Sequence, residues 1–85
     1  MTRVKELQAL QAALAAEHAA VYGYGVVGAM LSGKAQARAL ADWKLHQESR
    51  DTLESMIVKL GATPVAASVA YRLPFAVAEI GRAHV

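Results

Sequence analysis

The sequence predicts an all-α fold: a long antiparallel helical hairpin, with helices at about residues 3–31 and 34–60, followed by an extended linker, the whole forming half of a four-helix bundle. Three observations predict it. Apolar residues recur at alternating spacings of three and four along both segments, and only Ser32-Gly33-Lys34 separates them. The composition is 55% hydrophobic but 6% aromatic, so its apolar content is mainly alanine, valine and leucine, a helix-forming palette.

The first helix rests on Leu7, Leu10, Leu14, Glu17, Val21, Tyr24, Gly28 and Leu31, a seam in which Glu17 and Gly28 are the interruptions. Thr2 is placed to cap its start. Gly33 is placed to close its end, where a left-handed residue is needed. The second helix carries Ala39, Trp43, His46, Arg50, Leu53, Ile57 and Leu60 at the same spacings, and Gly61 and Pro64 stop it. So short a connection forces the helices back on each other. With the turn centred on Gly33 and equal rise on both sides, residue i lies level with about residue 66 minus i. Leu7 then meets Leu60, Leu10 meets Ile57, Leu14 meets Leu53, Tyr24 lies beside Trp43, and Gly28 comes level with Arg38 and Ala39.

Residues 62–78 contain two prolines and no helical repeat, and they read as an extended linker packed over the bundle. A two-helix hairpin cannot bury its seam, its alanine flanks and such a linker unaided. More helices are required. A chain without them is expected to self-associate through the exposed apolar seam.

Composition removes several classes of function. With 85 residues there is room for one small domain. No cysteine is present, which excludes thiolate zinc sites and cysteine nucleophiles. The net charge is +2 and the basic residues are scattered, without the footprint of a nucleic-acid binder. The longest uncharged apolar stretch, residues 19–31, is shorter than the ~20 residues a membrane span needs. Met-Thr-Arg-Val-Lys-Glu lacks the apolar core of a secretory signal, so the expected location is the cytoplasm. No serine has a histidine and an acid at triad spacing.

The polar interruptions of the seams are the candidate site. Glu17 is level with the interval between His46 and Arg50, so three polar side chains converge at mid-bundle. A carboxylate there needs a partner, and a structural ion pair with Arg50, His46 or both supplies one. Arg50 pairing with Glu54 one turn on is the surface alternative. The chemical alternative is a metal site in which Glu17 and His46 act as ligands for iron or manganese. Helix 2 reads Asp42-Trp43-Lys44-Leu45-His46-Gln47-Glu48-Ser49-Arg50, without the Glu-x-x-His of carboxylate-bridged di-iron bundles, and the Arg50 guanidinium would repel a cation at that level. His18 points about 100° away from Glu17. Gly23-Tyr24-Gly25-Val26-Val27-Gly28 matches the glycine pattern of dinucleotide-binding turns, but it stands inside a helical repeat, where close helix packing accounts for it.

Glu17-His18-Ala19-Ala20-Val21-Tyr22-Gly23-Tyr24-Gly25 resembles a bacterial family of unknown function in the ferritin-like superfamily. The resemblance extends over His46, Arg50-Asp51, Leu53, Gly61-Ala62-Thr63-Pro64-Val65 and Ala70-Tyr71-Arg72-Leu73-Pro74-Phe75. It implies a ferritin-like four-helix bundle of which the first helical pair and the crossover linker are present, in residues 1–78. The function it implies is a non-catalytic binding or scaffold module without a cofactor. The alternative is a di-iron type oxidase or iron-storage protein using Glu17 and His46 with ligands from the missing half. Residues 79–85, Glu-Ile-Gly-Arg-Ala-His-Val, resemble the in-frame translation of a common sequencing adaptor, as in a reading frame taken from a short metagenomic or transcript read.

Overall fold

A computed structural model describes residues 2–68 and 71. Helix α1 spans Thr2–Met30 and α2 spans Gly33–Lys59, packed as an antiparallel hairpin. These bounds agree with the sequence to one residue, although Thr2 lies inside α1 rather than capping it. The three glycines at 23, 25 and 28 fall within α1, as the helical reading requires.

Gly33 has φ +60 and opens α2 directly after Ser32, so the left-handed residue that reverses the chain belongs to the second helix's first turn. The side chain of Gln36 reaches back across the turn, where its Nε2 donates to Gly28 O at 2.9 Å and satisfies a carbonyl at the end of α1. At the other end Gly61, φ +83, stops α2. Its N–H donates to Val58 O at 2.9 Å and the Ala62 N–H to Ile57 O at 3.2 Å, the paired bonds of a Schellman cap.

The core is thin. Leu14 and Ile57 are fully buried and Ala39 nearly so, while Leu7, Leu10, Leu53 and Leu60 are only half-buried. The register follows the level rule to within three residues: Gly28 meets Ala39, Gly25 meets Trp43, and Glu17 meets His46. Tyr24 differs from expectation. Its ring stacks on His46 instead of lying beside Trp43, with centroids 5.1 Å apart and planes 20° apart. Trp43 instead covers Gly25, where an added Cβ would stand 3.3 Å from the indole Nε1.

Residues 62–68, which include Pro64, carry neither helix nor strand and form a strap along α1. Thr63 and Val65 are bonded to Gln11, Val65 also to His18, and the Tyr71 ring lies on Tyr22 with centroids 5.2 Å apart. Later strap residues meet later α1 residues. The strap therefore runs parallel to α1, back toward the hairpin turn. The remainder of the predicted linker and the adaptor-like segment 79–85 lie outside the described residues. Among the described residues, no helix is long and apolar enough to cross a membrane.

Candidate functional site

Glu17 occupies a seam position on α1, so helical geometry aims it at α2 rather than at solvent. The Nδ1 of His46 lies 2.8 Å from Glu17 Oε2. A carboxylate oxygen accepts, which places the proton on His46 Nδ1. The stacked Tyr24 ring fixes the imidazole from its face, so His46 is held by a carboxylate at its edge and an aromatic at its plane. The pair is partly open to water, the Glu17 side chain 21% exposed and that of His46 33%.

The third predicted member stands apart. Arg50 Nε donates to Asp51 Oδ1 at 3.1 Å, joining neither Glu17 nor Glu54. Four residues beyond His46, Arg50 is ~40° further round α2 and ~6 Å along it, which carries its guanidinium away from Glu17. The polar cluster is thus a pair with an aromatic lid. Beside it lies an open depression of about 490 Å³ lined by Glu17, Leu45, Glu48, Ser49, Thr52 and Leu53. It opens along α2, with Glu17 the α1 residue at its edge.

His18 has a role that sequence reasoning missed. It is 7% exposed, and its Nε2 lies 2.9 Å from Val65 O; the carbonyl can only accept, so Nε2 carries the hydrogen. Seven residues earlier on the same face, Gln11 donates through Nε2 to Thr63 O at 2.8 Å and accepts at Oε1 from the Val65 N–H at 2.7 Å. Its amide pairs with the strap as a neighbouring β-strand would. Glu17 and His18, adjacent in sequence, thus serve the two flanks of α1: the first holds α2, the second holds the strap.

As metal ligands, Glu17 and His46 are two donors, and among the described residues no group of three or more histidine, aspartate or glutamate side chains comes together. Their mutual bond occupies His46 Nδ1 and Glu17 Oε2 and leaves His46 Nε2 and Glu17 Oε1 open, two donor atoms where a protein metal site takes three or four protein ligands.

No curated protein and no solved structure matches the chain. A family model does match, over residues 9–84, a span that takes in the second seam, the strap and residues 79–84 of the adaptor-like segment. By that match the chain belongs to the family described as Domain of unknown function (DUF4439).

Proposed function

We propose that the chain is the first helical pair and crossover of a ferritin-like four-helix bundle that serves as a non-catalytic binding or scaffold module. The course of the strap carries this reading. An up-and-down bundle turns directly from its second helix into a third, whereas ferritin-like bundles return along the bundle's length before the third helix begins. Here the chain leaves α2 beside the start of α1 and travels along α1 toward the turn, held by Gln11, His18 and Tyr22. The thin core supports the same reading, because a hairpin with two fully buried large side chains has an unfilled apolar face. In this chain alone that face is met by self-association.

The competing reading is a di-iron type oxidase or iron-storage protein in which Glu17 and His46 are joined by ligands from outside this chain. The open depression beside their contact favours it. Elemental analysis of the purified chain and of a longer family member separates the two. The scaffold reading expects iron and manganese well below one atom per chain in both. Retention approaching two atoms per chain in the longer protein would establish the metal reading and overturn the scaffold.

A further inference from the structure

Helix α2 presents a second stripe, about 110° round its axis from the face that Ala39 and Ile57 bury. It consists of Asp42, Leu45, Ser49, Thr52, Met56 and Lys59, at spacings of three, four, three, four and three. Apart from the half-buried Asp42 all are exposed, Leu45 by 60% and Met56 by 42%. The depression beside Glu17 opens over its middle, at Ser49 and Thr52. Neither Asp42 nor Lys59 has an ion-pair partner among the described residues.

The stripe is its own complement. Its spacings read the same from either end, while its charges are opposite at the two ends. We propose that this stripe is the contact surface of an antiparallel homodimer whose two-fold axis passes between Arg50 and Asp51 of α2. That axis sets Asp42 level with Lys59 of the second copy, Leu45 with Met56, and Ser49 with Thr52, each twice. Parallel pairing would set Asp42 against Asp42 and Lys59 against Lys59. Serine and threonine at the centre let the two helices approach closely, and the larger Leu45 and Met56 side chains close the contact on both sides. Each copy's helix then lies over the other's depression, which completes a four-helix arrangement from two hairpins. The proposal rests on the self-association reading and specifies its face, partner and direction.

Sedimentation equilibrium of the full chain tests it, with circular dichroism confirming that each variant stays helical. The expected species is a dimer. Asp42→Lys and Lys59→Asp each turn two attractive pairs repulsive and are expected to weaken the dimer roughly tenfold, while the double swap returns it to within about threefold of the parent. A second readout uses a chain with no native cysteine. Leu45→Cys combined with Met56→Cys should be joined between copies by a bis-maleimide of ~10 Å reach, a span comparable with packed helix axes. Leu45→Cys alone should not be joined, because its two copies stand ~16 Å apart along the axis. A monomer at all concentrations overturns the interface and the self-association reading together. A dimer that Leu45→Cys alone cross-links, or that the double charge swap fails to restore, overturns the antiparallel stripe and leaves self-association standing.

Discussion

The Glu17–His46 contact shows how a seam interruption becomes a structural bond. Each residue alone weakens its helix's apolar face; together they exchange a hydrogen bond at 2.8 Å and keep enough exposure to avoid full desolvation. Because Arg50 is satisfied by Asp51, removing the Glu17 carboxylate strands no buried guanidinium. Glu17→Leu is therefore expected to change stability by no more than about 1 kcal/mol in urea unfolding, since the freed His46 can hydrate and the new leucine adds apolar contact. A loss of ~3 kcal/mol would instead mark the pair as a principal brace of the hairpin. This contact was legible in the sequence because both partners break a regular pattern at the same level. The stacking of Tyr24 on His46 was not, because the level rule fixes height along the bundle and says nothing of the direction in which a long side chain leans.

Among the elements, α1 and α2 approach closely where Gly25 and Gly28 face α2. The two glycines differ in what they protect. A Cβ at Gly28 would stand 3.1 Å from Leu40 Cδ2, the tip of a flexible and 41% exposed side chain, whereas one at Gly25 would stand 3.3 Å from the rigid Trp43 ring. Leu40 can rotate out of the way; an indole held between helices cannot do so without shifting its whole plane. Gly28→Ala is expected to be neutral or to stabilise by up to ~1 kcal/mol through helix propensity, and Gly25→Ala to gain nothing or destabilise, as thermal unfolding would show. The helices and their ends were readable from periodicity and from Gly33 and Gly61. The attachments of the strap were hidden for a physical reason: Gln11 and His18 bind main-chain atoms of Thr63 and Val65, and backbone groups are the same whatever the sequence. Pro64 announced an extended segment, but not the helix face that would receive it.

For the whole molecule, the parallel course of the strap also sets an order of folding. The hairpin can zip outward from Gly33, each new contact closing only a slightly longer loop. The strap's bonds from Gln11 join positions 52 and 54 apart in the chain, and they become available only once α1 and α2 are aligned. Gln11→Ala is accordingly expected to speed unfolding and leave the folding rate nearly unchanged in stopped-flow experiments, while Ala39→Gly, close to the turn, should slow folding. A Gln11→Ala variant that folded more slowly would mean that the strap is part of the nucleus. If the strap docks last, it also acts as a timer. The Tyr71 ring settles on Tyr22 only after the hairpin beneath it is formed, so the strap covers a finished surface rather than a folding intermediate.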